Sequence, residues 1–153
     1  MLKGINPLLN AEVLYALRAM GHGDDLIIAD TNFPSDATAR QTRLGKLLRI
    51  DNTTSAEAAA AILSVYPLDS FVDDAAARME IVGSPDEIPP VQREVQEVID
   101  AAEGRAWTML PIERYAFYER ARKAYCVIQT GERRFYGCFA FRKGVVAPDA
   151  EPA

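Results

Sequence analysis

The sequence predicts an α/β fold, a single domain in which helices flank a mixed β-sheet. Three observations carry this. Leu26–Ala29 is a continuous apolar run of strand length, the pattern of a strand covered on both faces. Amphipathic and alanine-rich segments alternate along the chain with short strand-like runs, the order in which α/β layers are built. The 153 residues suffice for one core that buries roughly 70% of the surface of the unfolded chain.

Each element has a local reason. Asn10 suits the N-cap of a helix whose Val13, Leu14, Leu17 and Met20 share one face, with Gly21 placed as its left-handed terminator. Leu26–Ala29 follows as a buried strand with Asp30 at its carboxyl end. Residues 31–41, containing Asn32-Phe33-Pro34-Ser35-Asp36, read as a long loop. Thr54-Ser55-Ala56-Glu57 has capping-box spacing and opens an alanine-rich helix that Pro67 stops after Tyr66. Met79–Val82 reads as a strand, and Val91, Val95, Val98 and Ile99 form the apolar stripe of another helix. A short strand is expected at Trp107–Leu110 and a helical piece at Phe117–Lys123. Two further strand-like runs, Tyr125–Thr130 and Tyr136–Arg142, are joined by Gly131-Glu132-Arg133-Arg134, which reads as a hairpin connection. The domain is expected over 1–144. Residues 145–153, rich in proline, alanine and acid, read as a flexible tail.

Composition excludes several classes of function. The chain is 49% apolar and 25% charged, and no apolar run approaches the roughly 20 residues of a bilayer span, so no membrane association is expected. A net charge of -5 without a basic face argues against a nucleic-acid partner. The start of the chain lacks the pattern of a secretory signal, which makes the cytoplasm the expected compartment. Cys126 and Cys138 belong to no Cys-x-x-Cys pair and only one histidine is present; a metal site is not expected, and both thiols read as reduced and buried.

That single histidine, His22, sits between two glycines and eight residues before Asp30. Two readings stand from the residues alone. His22 and Asp30 form a proton-transfer pair near a strand end, because loops leaving the carboxyl ends of buried strands hold the ligand sites of α/β sheets. Alternatively, His22 caps the preceding helix and Asp30 its own loop.

Met20-Gly21-His22-Gly23-Asp24, Asn32-Phe33-Pro34, Phe117-Tyr118-Glu119-Arg120-Ala121, Thr130-Gly131-Glu132 and Tyr136-Gly137, in that order and spacing, resemble the L-fucose mutarotase family, close kin of D-ribose pyranase. The resemblance runs from Leu2 to about Gly144. It implies a pyranase/fucose-mutarotase-like fold and a cofactor-free isomerase that interconverts sugar anomers by opening and reclosing the ring. One group able to donate and accept a proton near neutral pH serves that chemistry, and histidine is the natural choice.

Carried over by position, the family's proton donor falls on His22. Its substrate-binding residues fall on Asp30, Arg114, Tyr136, Gly137 and Cys138. Asp30 would accept two sugar hydroxyls, and the fork of donors on Arg114 would hold oxygens or steady charge on the anomeric oxygen. Arg114 also points to the fucose branch, since the ribose branch has a histidine there. Cys138 departs from the family, which commonly has asparagine at that position, and opens the choice of sugar. Tyr118 reads as core as readily as pocket wall and is left unassigned. The implied partners are a monosaccharide and further copies of the chain, assembled as a homo-oligomeric ring, a decamer among the options. A pyranase acting on ribose and a non-catalytic sugar-binding module are the alternatives.

Overall fold

A computed structural model of the chain describes residues 1–150; of the expected tail, 151–153 lie outside the described residues. Asn10 caps helix α1 (Ala11–Ala19), its side-chain oxygen accepting from the Val13 amide at 3.0 Å. The helix ends otherwise than expected. Met20 turns extended, and the left-handed conformation falls on Gly23 (φ 88°) rather than Gly21. Gly21 instead donates its amide to the Asp24 carboxylate, while the Lys143 ammonium satisfies the carbonyls of Leu17 and Met20. These contacts replace a glycine cap.

Strand β1 (Asp25–Ala29) follows, and its Leu26–Ala29 run is fully buried. The stretch expected as loop contains the short helix α2 (Ser35–Ala39), held by the Thr38 amide bonding to the Pro34 carbonyl and an Asp36–Arg40 ion pair. A three-residue strand, β2 (Leu48–Ile50), was not anticipated from the pattern. The capping box at α3 (Ser55–Leu63) forms reciprocally: Thr54 Oγ1 accepts from the Glu57 amide at 3.1 Å, and the Glu57 carboxylate from the Thr54 amide at 2.7 Å. The helix stops before Pro67 is reached. The Ser64 hydroxyl bonds back to the Ala61 carbonyl and the Val65 amide to that of Ile62, which closes the last turn early.

Strand β3 (Ala76–Met79) ends where the sequence suggests a strand begins. Helix α4 (Pro90–Glu103) carries the expected valine and isoleucine stripe; β4 (Met109–Ile112) lies two residues beyond its expected place. Helix α5 (Arg114–Lys123) starts three residues early, and β5 (Cys126–Thr130) and β6 (Phe139–Arg142) complete the chain.

The six strands form one mixed sheet in the order β2-β5-β1-β6-β3-β4. No hairpin joins β5 to β6, because β1 lies between them, parallel to β5 and antiparallel to β6. Alternation along β1 divides the core. Leu26 and Ile28 pack with residues of α1, α3 and α4 on one face, Ile27 and Ala29 with α2 and α5 on the other. Among the described residues no helix is long and apolar enough to cross a membrane.

Candidate active site

Strands β1, β3 and β4 run the same way and β6 runs against them, so Asp30, Met79, Ile112 and Cys138 all arrive at one end of the sheet. Helix α5 begins there too, bringing Arg114 and Tyr118. Together with Asn32, Phe33, Phe135 and Tyr136, Asp30, Met79, Arg114, Tyr118 and Cys138 line a cavity of about 270 Å³ at the carboxyl ends of the parallel strands, where α/β sheets hold ligands.

Asp30 is the anchor of this cavity and is only 4% exposed. Its Oδ1 accepts from the amides of Asn32 (3.0 Å) and Phe33 (2.9 Å), its Oδ2 from that of Gly137 (3.1 Å). Three backbone amides thus take up part of the carboxylate's acceptor capacity, and Asp30 still lines the cavity. Gly137 backs the wall rather than lining it. A side chain there would meet Glu132 Cγ at 2.7 Å and Asp30 Cβ at 3.3 Å, and the Gly137 carbonyl already accepts from the Ser55 hydroxyl at 2.8 Å.

Tyr136 takes a left-handed backbone (φ 62°), a conformation that costs a non-glycine residue about 1–3 kcal/mol and persists only where neighbours impose it. The amide of Gln92 donates to its carbonyl at 3.0 Å, and the Val82 amide donates to its phenol oxygen at 3.3 Å. Arg114 is exposed at the rim. Its Nε donates to the Tyr118 hydroxyl at 2.9 Å, and Tyr118 in turn rests against Phe33. Tyr118 therefore belongs to the pocket wall. Burial, and then the neighbouring Asp30 carboxylate, push the Cys138 thiol well above its ordinary range, so it remains a neutral, weakly polar part of the lining.

His22 is not in this cavity. It stands in the turn before β1 while Asp30 stands after it, and the five strand residues between them span roughly 16 Å. A strand is straight, so residues flanking it face opposite ends of the sheet. The proton-transfer pair suggested by the spacing is not formed within one chain. The partner of His22 is Asp69, whose buried Oδ2 lies 3.1 Å from His22 Nε2. A carboxylate only accepts, so in the neutral imidazole the ring hydrogen sits on Nε2 and Nδ1 is the acceptor. Phe71 meets the imidazole edge-on at 5.6 Å between ring centres and is itself 72% exposed. Asp69 and Phe71 were beyond the sequence reading because they lie 47 and 49 residues from His22 in a loop without a motif.

The profile of the RbsD / FucU transport protein family matches residues 3–146. The chain belongs to this family. Human fucose mutarotase is 41% identical over 149 residues, covering 95% of both chains. Among solved structures, protein Atu2016, described as a putative sugar binding protein, superposes with a TM-score of 0.94 at 62% identity, over 96% of this chain and 97% of that one. The fucose mutarotase of Streptococcus pneumoniae in complex with L-fucose superposes with a TM-score of 0.85 at 36% identity, over 95% of this chain and all of the other. The mixed α/β sheet read from the sequence is thus the fold of the RbsD / FucU family.

Proposed function

We propose that the chain is a sugar mutarotase acting on L-fucose or a similar monosaccharide, with each active site completed by two copies. One half-site is the cavity of Asp30, Arg114, Tyr118, Tyr136 and Cys138, with a neighbouring Gly137, which binds the sugar. The other is the exposed His22–Asp69 pair of the adjacent copy, which moves the proton. The observation that carries the reading is this division. The cavity holds no side chain that readily accepts and returns a proton near neutral pH, while the chain's sole histidine stands 47% exposed on the opposite end beside a protruding Phe71. Joining one end to the other repeats head to tail, the kind of contact from which rings are built when the rotation between copies closes.

In the reaction, His22 Nδ1 takes the proton of the anomeric hydroxyl as the bond from the anomeric carbon to the ring oxygen breaks. The protonated imidazole gives that proton to the ring oxygen, and an open-chain aldehyde forms with His22 returned to its starting state. Rotation about the bond next to the aldehyde carbon and the reverse transfers close the ring on its other face. Arg114 steadies the anomeric oxygen while it carries negative charge, and the Asp30 carboxylate accepts from the sugar hydroxyls. Fucose mutarotases among the relatives support this choice of substrate.

Saturation-transfer exchange between L-fucose anomers tests the reading. Wild-type protein should accelerate exchange, and His22→Ala should lower the rate roughly 10²- to 10⁴-fold. Arg114→Ala should also be impaired. Co-expression of the two variants should restore exchange at about a quarter of the sites, those pairing an intact cavity with an intact histidine. No acceleration by the wild type sinks the mutarotase reading. Acceleration without recovery in the mixed assembly sinks the two-copy site.

A further inference from the structure

Gln92 is fully buried on α4, behind the cavity wall, and nothing in the proton-transfer chemistry uses it. Its surroundings show what it does. Strands β3 and β6 pair as far as Arg78 and Phe139, with one further bond from the Met79 amide to the Cys138 carbonyl at 3.2 Å. Beyond that point the two chains separate and the cavity opens between Met79 on one side and Tyr136 on the other. The separation would leave the carbonyls of Met79 and Tyr136 without strand partners. Gln92 Nε2 donates to both, at 2.8 Å and 3.0 Å. One side-chain amide therefore takes the place of a missing rung and bridges the two walls.

The orientation of that amide is itself set. Arg78, buried on β3, donates from one guanidinium nitrogen to Gln92 Oε1 at 3.0 Å and from the other to the Pro85 carbonyl at 3.0 Å. With Oε1 held by the cation, Nε2 must face the two carbonyls. The same loop that carries Pro85 supplies the Val82 amide to the Tyr136 phenol oxygen. Tyr136 is thus held at both ends, and its left-handed backbone is imposed from behind by Gln92 and Arg78.

We propose that Gln92, oriented by Arg78, is a positioning residue that fixes the distance between the Met79 and Tyr136 walls and thereby the fit of the sugar. The inference rests on the cavity being the sugar site. Gln92→Glu is the sharpest variant, since it keeps length and the Arg78 contact but turns an acceptor toward two carbonyls. For L-fucose its KM should rise about tenfold or more while kcat stays within about threefold, the signature of lost binding rather than lost proton transfer. The pH profile of kcat should be unchanged, because Gln92 lies behind the cavity wall and its side chain bonds to Arg78, Met79 and Tyr136, not to the His22–Asp69 pair. Gln92→Met should shift KM the same way. If the glutamate variant does not fold, Arg78→Met, which leaves Gln92 in place and frees its amide to turn, should raise KM several-fold.

Calorimetry of L-fucose binding separates this inference from the mutarotase reading. Should the wild type bind the sugar without turning it over, the dissociation constant should rise in these variants as KM would have done. Folded variants with KM and dissociation constant within twofold of wild type overturn the proposal. So does a fall in kcat at constant KM.

Discussion

The two ends of β1 are built on opposite plans. At the carboxyl end the Asp30 carboxylate is buried and three backbone amides point at it, so this wall of the cavity is preformed. At the amino end His22 is half-exposed, and its imidazole is held by one hydrogen bond to Asp69 and one edge contact to Phe71. The frame beneath that ring is nonetheless tightly tied. The Gly23 amide bonds to the Lys143 carbonyl at 2.9 Å, the Lys143 amide to the Asp24 carbonyl at 2.8 Å, and the Asp69 amide to the Arg142 carbonyl at 3.0 Å. Arg120 and Arg142 both grip Asp25, and Arg142 also grips Asp74 at 2.7 Å. A preformed cavity suits substrate selection; a ring projecting from a fixed frame suits the proposed delivery into a neighbour's cavity.

The largest expected effect falls on the histidine end. Asp69→Asn replaces an acceptor with an amide that also donates, which removes the reason for the hydrogen to sit on Nε2. L-Fucose exchange should fall on the order of 10²-fold in kcat with KM little changed, and nitrogen chemical shifts of the His22 ring should report the altered tautomer. A drop in affinity instead would mean that Asp69 serves the cavity.

Glycines at each end allow the contrast to be drawn in matched pairs. A Cβ at Gly144 would lie 2.5 Å from the Leu68 carbonyl oxygen and 2.9 Å from Asp69 Cα, so Gly144→Ala must push the Asp69 loop away from His22. Its kcat should fall about tenfold at constant KM, with a melting temperature several degrees lower. Gly137→Ala crowds Glu132 and Asp30 and should instead raise KM about tenfold with kcat retained. If the two variants show the same split, the ends are not functionally distinct.

Legibility in the sequence follows the range of the interactions. Leu26–Ala29, the Thr54 capping box and the valine stripe of α4 are local patterns, and each forms where the pattern stands. Strand β3 reads Ala-Ala-Arg-Met, with no β-branched residue to mark it, and is a strand because its neighbours bury it on both faces. The Gly131–Arg134 segment has hairpin chemistry but joins strands separated by β1, and strand order is a non-local property. Of the residues the motifs point to, Asp30, Arg114, Tyr136 and Cys138 line one cavity, and Gly137 stands behind it. The distance from His22 to them, and its pairing with Asp69, depend on which end of a strand each residue occupies and on a contact across 47 residues.

A smaller effect belongs to the rim. Tyr118→Phe removes only the hydroxyl that accepts from Arg114 Nε and leaves the ring against Phe33. The exposed guanidinium then regains rotamer freedom, so KM for L-fucose should rise about threefold while stability stays within about 0.5 kcal/mol. No change in KM would show that Arg114 needs no support from Tyr118.

The smallest effect at neutral pH, and one confined to the cavity end, comes from Glu132. This residue lies on the loop leading to Tyr136 and accepts from the Ser55 amide and from Arg134, which also pairs with Glu94. Burial disfavours the charged carboxylate, but the hydrogen bonds from Arg134 and Ser55 outweigh it and hold the carboxyl below its usual range. A group depressed in the folded state contributes stability that is complete above its unfolded pKa and is lost as the pH falls through the folded value. Between pH 6 and 8 the Glu132 contribution should therefore be flat. Below about pH 4, the ordinary carboxylate range, it should decline. Glu132→Gln should remove part of the acid dependence of the melting temperature. Hydrogen exchange at the Gly137 amide should rise on acidification before exchange at Gly23, because the carboxylate braces the cavity loop and makes no contact with the His22 turn. Simultaneous loss of protection at both amides would mean that the two ends open as one unit.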